Sequence, residues 1–154
     1  MRRSDKALPN DALVKILQEG EYGVLSTVSA DGQPYGVPLN YALQNNNLYF
    51  HCALEGHKLD NLLANEKVSF CVVGDSKVVP ADFTSEFASV IVTGTAEVIY
   101  AEEKYEALVS LIEKYCSEFV EEGRRYIEKL DGETAAVAIR IESMTGKRSP
   151  ASLR

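Results

Sequence analysis

Residues 36–61, GVPLNYALQNNNLYFHCALEGHKLDN, decide the fold, because they lead from an apolar β-rich run through one short loop into a helix. The run 48–52 (LYFHC) is rich in β-forming residues and follows the turn-like segment 44–47, so it predicts a strand. The apolar positions beyond the loop recur at i, i+3 and i+4, the spacing of one helix face: Leu59, Leu62 and Leu63. The loop therefore ends at a helix start.

That helix start is a candidate anion-binding site. Gly56, His57 and Lys58 fall at or just before its first turn, where backbone N–H groups lack intrahelical partners. Those amides and the positive end of the helix dipole favour a phosphate, and the lysine adds a full charge. The segment does not match the P-loop pattern GxxxxGK[ST]. Three plainer roles stay open: a solvated surface Lys58, a His57 that belongs to a capping turn, and a core His51 bonded to a backbone carbonyl.

Length and charge restrict the class of protein. The 154 residues suit one domain, spanning 1–154, with a substantial core. The formal net charge is −7 and no run of Lys and Arg is long enough for a nucleic-acid stripe, so no nucleic-acid partner is expected. No apolar segment follows the basic start, and nowhere do about 18 apolar residues run together. We therefore expect no membrane partner and a cytoplasmic location.

The cysteine pattern argues against a disulfide framework. Cys52, Cys71 and Cys116 are odd in number and lack CxxC spacing, so we expect reduced thiols and no structural zinc. Cys52 adjoins His51 and lies near His57, which leaves a metal site or a Cys–His nucleophile as an alternative, although no third partner is visible. We therefore expect no metal and leave any catalytic residue unknown.

The remaining patterns predict strands and helices around this segment. The predicted strands are 22–28, 34–43, 48–52, 68–73, 89–100 and 134–142. The predicted helices lie at 10–20, around Leu59, at 102–115 and at 118–130. Segment 74–87 contains Pro80 and lacks periodicity, so it predicts a loop. Six strands with helices segregated between them are typical of a small, mainly β antiparallel barrel with outer helices. Pro38 cannot donate to a ladder and is expected at an edge, bend or bulge.

The order of these motifs resembles that of the FMN-binding split-barrel proteins related to pyridoxamine 5'-phosphate oxidase, in particular their nitroimidazole-resistance (Nim) branch. The likeness covers residues 13–148 and rests on PYGVP, LYFHC and GHKLDN in this order, followed by SVIVTGTAEVI and TAAVAIRIESMTGKR. It implies a six-stranded antiparallel split β-barrel, FMN as the cofactor, and a homodimer whose flavin sites lie at the subunit interface.

The resemblance also implies flavin contacts around the helix start. His57 and Lys58 would receive the FMN phosphate, and Asn61, one helical turn further on, is expected to reach the same group. His51 and Cys52 would touch the ribityl and phosphate region from the end of their strand. The candidate anion site thereby gains a specific ligand.

Other implied contacts lie on a neighbouring strand and on the second subunit. The residues that would line the isoalloxazine ring are Val37, Pro38, Leu39, Asn40 and Tyr41. Ser89 and Lys147 match positions from which the partner chain contacts the flavin.

The chain also departs from the oxidase. The oxidase carries an arginine–lysine pair where this chain has His57 and Lys58, and its tail grips pyridoxal phosphate with tryptophan and arginine, whereas this sequence has no tryptophan. We therefore expect a nitroreductase-like oxidoreductase that passes electrons from NAD(P)H to a small acceptor, not a pyridoxamine-phosphate oxidase. The alternative is a non-catalytic flavin- or haem-binding or storage protein, with His51 or His57 as an iron ligand; deazaflavin is the cofactor of other relatives.

Overall fold

The computed structural model describes residues 4–149, which form seven strands and four α-helices. The strands are β1 (Gly23–Val28), β2 (Pro34–Leu39), β3 (Ala42–Gln44), β4 (Asn47–Cys52), β5 (Lys67–Val79), β6 (Thr84–Ile99) and β7 (Ala135–Ser149). The helices are α1 (Asn10–Glu19), α2 (His57–Ala64), α3 (Ala101–Tyr115) and α4 (Val120–Leu130). Within residues 4–149, no helix is both long enough and apolar enough to span a bilayer.

All seven strands belong to one antiparallel sheet with the order β2-β1-β5-β6-β7-β4-β3. The strands at its two edges, β2 and β3, are separated along the chain only by Asn40 and Tyr41. The sheet therefore curls until its edges approach each other, which produces a split barrel in place of a flat sheet. The predicted class, mainly β with outer helices, is confirmed.

The predicted count of six strands is wrong, because the segment 34–43 is divided into β2 and β3. The chain leaves one sheet edge and joins the other at this point, so the bend needs new hydrogen-bond partners. The Tyr115 hydroxyl of α3 supplies them: it lies 3.1 Å from the N–H of Tyr41, 2.9 Å from the carbonyl of Tyr41 and 2.7 Å from the carbonyl of Glu21. It accepts from the amide and donates its one proton to either carbonyl. One tyrosine thus holds the bend.

The prediction of a loop over 74–87 is also wrong. β5 and β6 continue past the barrel as a two-stranded arm, which a bulge between Val73 and Ser76 separates from the rest of the ladder. No residue of 74–87 is buried, so the arm lacks the alternation of apolar and polar residues by which strands are recognised. Pro80 begins the short turn Pro80–Asp82 at the tip, where its missing N–H costs nothing.

β7 is longer than predicted, since it continues beyond 134–142 to Ser149 and pairs with β6. The ladder contains a bulge at Gly94, where the two backbones approach closely. A Cβ at this position would collide with the carbonyl oxygen of Arg140, so only glycine fits. Beyond the bulge, β6 and β7 pair again, and this pairing extends the sheet to Ser149.

Two apolar clusters lie on opposite faces of the sheet. The cluster inside the barrel has as its largest members Leu17, Leu25, Tyr41, Leu48, Phe50 and Phe70. The cluster between the sheet and α3 and α4 includes Tyr49, Ile99, Leu108, Leu111 and Ile127. Because successive side chains of a strand point to opposite faces, β4 contributes Phe50 to the first cluster and Tyr49 to the second. This alternation decides which β4 residues can reach which site.

Candidate functional site

The first turn of α2 begins at His57, as the sequence predicts. Gly56 precedes it with φ 136°, a conformation that favours glycine. The Gly56 carbonyl accepts the N–H groups of Leu59 at 2.8 Å and Asp60 at 3.1 Å. The amides of His57 and Lys58 come before these first helical bonds and point out of the N-terminal end of the helix.

His57 joins this turn to the β1–β2 hairpin. Its Nε2 lies 3.4 Å from the Ser29 hydroxyl, and its ring meets the edge of the Tyr35 ring with 4.6 Å between centroids. The imidazole itself remains exposed. The sequence did not indicate Ser29 or Tyr35, because nothing local shows that the hairpin lies against a helix start 28 residues further on.

The ammonium of Lys58 acts electrostatically on the thiol of Cys52. Burial raises the pKa of the Cys52 thiol, and the positive charge of Lys58 partly offsets that rise. The thiol is therefore neutral at pH 7 and contributes polarity without charge. Lys58 is half-buried, and it brings the full positive charge to this group. We call Ser29, Tyr35, Cys52, His57 and Lys58 the α2 cradle.

Asn61 anchors the cradle and does not line it. Only 2% of its surface is exposed, and its Nδ2 donates to the Thr27 hydroxyl at 2.9 Å. The Thr27 hydroxyl donates in turn to the carbonyl of Tyr35 at 3.4 Å. We expected Asn61 to reach a bound phosphate. In the structure, its amide instead points at Thr27 of β1. It fixes the position of α2 on the barrel.

The five residues predicted to line a flavin ring do not share one face. Val37 and Leu39 are half-buried against the inner cluster, whereas Pro38 lies on the outer side of β2 and is exposed. β2 is an edge strand, as Pro38 requires. Asn40 is exposed at the bend, and its Nδ2 donates to the carbonyl of Glu21 at 2.8 Å.

Tyr41 is fully buried, so its side chain offers no surface to a ligand. Its hydroxyl donates to the carbonyl of Leu17 at 2.7 Å, and burial raises its pKa. The ammonium of Lys114 lies 3.9 Å from the centre of the same ring, and burial lowers the pKa of Lys114 to about 8. These contacts tie α1 and α3 to the bend after β2.

His51 lies on the opposite face of β4 from Cys52 and does not join the α2 cradle. It is exposed and lines a cavity of about 370 Å³ between the sheet and the helices α3 and α4. Asn40 lines the same cavity from the bend after β2. Across residues 4–149, His, Cys, Asp and Glu side chains form no group of three or more arranged to hold a metal ion.

An exposed apolar surface covers the outer side of β1, β2, β5 and β6. One row across the strands contains Pro38, Val24, Cys71 and Ile91, and Val73 lies beside it on β5. Val24, Ile91 and Val73 are 36%, 46% and 55% exposed. We call these five residues the outer apolar face. The helices leave it open, because α1 packs against the inner cluster and α3 against β3 and β4.

Ser89 and Lys147 lie opposite each other on β6 and β7, next to the outer apolar face. Ser89 also pairs with Val73 of that face. Ser89 is buried, whereas Lys147 is exposed with its ammonium 5.5 Å from the centre of the Phe87 ring. Their predicted contact with a flavin depends on a second subunit.

Comparison with known proteins identifies the family. Residues 9–148 match the model of the pyridoxamine 5'-phosphate oxidase family, and the chain belongs to that family. No protein of curated function matches the sequence significantly.

Solved structures with similar folds include three flavin- or drug-resistance-related proteins. A suggested 5-nitroimidazole antibiotic resistance protein from Bacteroides thetaiotaomicron is 23% identical, with a TM-score of 0.76 over 92% of this chain and 86% of that one. An FAD-binding protein from Mesorhizobium loti is 24% identical, with a TM-score of 0.68 over 94% and 98%. The FAD and heme binding protein of Mycobacterium smegmatis is 21% identical, with a TM-score of 0.83 over 95% and 74%. At these identities the likeness establishes the fold.

Proposed function

We propose that the protein is a flavin-dependent oxidoreductase whose α2 cradle binds the phosphate of FMN. The observation that carries the proposal is the first turn of α2, which brings its first amides, Lys58 and His57 together, with the Ser29 hydroxyl 3.4 Å from His57 Nε2. A full positive charge, outward-pointing N–H groups and side-chain donors together suit a phosphate. The family supports FMN, and the FAD-binding relatives support a flavin in general.

The flavin ring would lie along β2. An edge strand leaves backbone N–H and C=O groups unpaired on one side, and these suit the polar edge of an isoalloxazine. Pro38 and Asn40 are the exposed side chains of this stretch, whereas Val37 and Leu39 turn inward and contribute chiefly their backbone. The chain thus holds the ring by shape and backbone groups.

Bound FMN would supply the electron transfer, from NADH or NADPH to a small acceptor. The chain's own residues would bind the phosphate and orient the ring. A nitroaromatic is one acceptor class, which the similarity to the Bacteroides thetaiotaomicron protein supports. The absence of tryptophan sets this sequence apart from the oxidase that acts on pyridoxamine phosphate.

Anaerobic reduction tests the oxidoreductase proposal. Protein loaded with FMN should lose its flavin absorbance on addition of NADH or NADPH and regain it when a nitroaromatic is added. If neither nicotinamide bleaches the bound flavin, the protein is a flavin carrier and the proposed electron transfer is wrong.

A haem-binding or storage protein is the second candidate, and the position of His51 favours it. This imidazole lines an apolar cavity, an arrangement suited to an axial haem ligand. The Mycobacterium smegmatis relative binds both FAD and heme. Absorbance of the purified protein separates the candidates, since a Soret band indicates haem and two flavin bands indicate FMN.

We also propose a homodimer through the outer apolar face, in which Ser89 and Lys147 approach the partner's flavin. Contiguous exposed apolar side chains commonly mark such an interface. The variant Ile91→Lys should convert the dimer to a monomer in sedimentation velocity, because each protomer would bury an unpaired lysine charge in the apolar interface. Leu63→Lys, at a residue 85% exposed on α2, is the matched control and should stay dimeric. A wild-type monomer that binds FMN tightly would contradict the proposal.

A further inference from the structure

Lys114 of α3 is a half-buried lysine without an anionic partner. Its Nζ lies 3.9 Å from the centre of the Tyr41 ring and 3.5 Å from the carbonyl oxygen of Leu17. That carbonyl also accepts the Tyr41 hydroxyl at 2.7 Å, so its contact with Lys114 is the weaker of the two. Among residues 4–149, no carboxylate forms an ion pair with Lys114. The ammonium therefore meets no full negative charge.

Burial without an opposite charge favours the neutral amine. The ammonium loses hydration, which the face of one ring and one shared carbonyl replace only in part. Burial accordingly lowers the pKa of Lys114 to about 8. At pH 7.4 roughly one-fifth of such a lysine is the neutral, nucleophilic amine, whereas an ordinary lysine in water is neutral to only about 0.1%. Lysines that form covalent bonds with carbonyl compounds are commonly activated by burial of this kind.

The titratable groups around Lys114 do not restore the ammonium. Tyr41 faces it from the bend after β2, and Tyr115 faces it from α3 with its ring centre 5.3 Å away. Both are phenols, which are uncharged at neutral pH. Glu113 is the adjacent residue on α3, and adjacent helical side chains do not face each other. Its carboxylate lies 3.9 Å from the guanidinium of Arg124.

Lys114 also lines a surface cavity of about 220 Å³ formed by α1, β3 and α3. The other lining residues are two aliphatic side chains, three uncharged polar ones and one carboxylate: Ala42, Leu43, Gln18, Gln44, Ser110 and Glu113. A cavity of about 150 Å³ accepts benzene, so a molecule of two to four carbons fits beside the lysine. The carboxylate at the cavity and the net charge of −7 both oppose anions. The space therefore suits a small uncharged molecule.

We propose that Lys114 is a covalent capture site for small uncharged aldehydes, which it binds reversibly as an imine. The neutral amine attacks the carbonyl carbon and forms a carbinolamine. Loss of water then leaves a C=N bond: the carbonyl oxygen departs with the two protons of the amine, and no oxidant or reductant is consumed. Imine formation removes the ammonium from the Tyr41 ring and so loosens the connection between α3 and the bend after β2. The reaction does not depend on a bound flavin.

Reductive trapping of the full-length protein tests the inference. Glycolaldehyde and cyanoborohydride convert an imine into a stable secondary amine, and mass spectrometry of the digested protein measures the modification of each lysine. At pH 7.4 Lys114 should be modified more than about tenfold faster than Lys15, whose side chain is 70% exposed. The ratio of the two rates should fall roughly tenfold between pH 7 and 9, because the neutral fraction of Lys114 saturates first.

Two isosteric variants test the surroundings of Lys114. Gln44→Glu places a carboxylate in the cavity from β3 and should slow modification of Lys114 at pH 7.4 by roughly fivefold, because a nearby negative charge favours the ammonium. Gln18→Glu should act in the same direction from α1, so the result does not depend on one variant folding well. Gln33→Glu adds the same charge on the β1–β2 hairpin and should leave the rate unchanged.

Thermal unfolding identifies any variant that fails to fold. The inference is overturned if folded wild-type protein is modified at Lys114 no faster than at Lys15, or if the ratio of the two rates stays constant with pH. It is also overturned if both glutamate variants fold and react at Lys114 like the wild type.

Discussion

Replacement of Lys58 by alanine should weaken the binding of FMN roughly ten- to a hundredfold, because a charge-assisted hydrogen bond contributes about 1.5–3 kcal/mol. Riboflavin should lose little affinity, since it lacks the phosphate that Lys58 is proposed to meet. Fluorescence titration of both ligands into the flavin-free variant measures the difference. The half-buried position of Lys58 beside Cys52 supports an effect larger than that of a surface lysine.

Two further variants calibrate this result. His57→Ala should weaken the binding of FMN in the same direction but less, because the exposed imidazole contributes a hydrogen bond at the rim of the cradle, whereas Lys58 contributes a full charge. Lys15→Ala, at a lysine whose side chain is 70% exposed on α1, should bind both flavins like the wild type. If Lys58→Ala weakened riboflavin as much as FMN, Lys58 would be a structural residue of the helix start and not a phosphate ligand.

Replacement of Gly94 by alanine should lower the free energy of unfolding by about 2–3 kcal/mol, the upper part of the range for inserting atoms into a packed site. The new methyl would collide with the carbonyl oxygen of Arg140, and backbone atoms cannot move aside as a flexible side chain does. The β6–β7 bulge would then distort. Urea denaturation measures the change.

Gly132→Ala provides the matched control for this variant. A Cβ at Gly132 has no heavy atom within 4 Å, so the substitution should change the free energy of unfolding by less than about 1 kcal/mol. Equal stability of the two variants would show that β6 and β7 do not approach at Gly94 as described.

The barrel was predictable where each strand has one buried face. The runs around β1, β4 and the first half of β5 alternate or remain apolar, and the structure places strands there. The arm 74–87 escaped prediction because none of its residues is buried, so its sequence carries no pattern of a buried face. The division of 34–43 depends on the Tyr115 hydroxyl, which arrives from 74 residues further along the chain.

The geometry of the candidate site was predictable where its residues are local. The helix start at His57 follows from the sequence pattern, and Cys52 precedes it by only one short loop. The separation of His51 from Cys52 was available in the sequence, since neighbours on a strand point to opposite faces. The burial of Tyr41 and the anchoring role of Asn61 could not be predicted from the sequence. Each depends on a partner distant in the chain: Leu17 for Tyr41 and Thr27 for Asn61.

The most direct test of the account is a titration of the flavin-free protein with FMN, monitored by flavin absorbance and fluorescence. We expect saturable binding of one FMN per chain at micromolar concentration or below, a perturbed flavin spectrum, and competition by inorganic phosphate, which would occupy the α2 cradle. An FMN spectrum that stays unperturbed at micromolar protein would contradict the central claim that this split barrel is a flavin-binding protein.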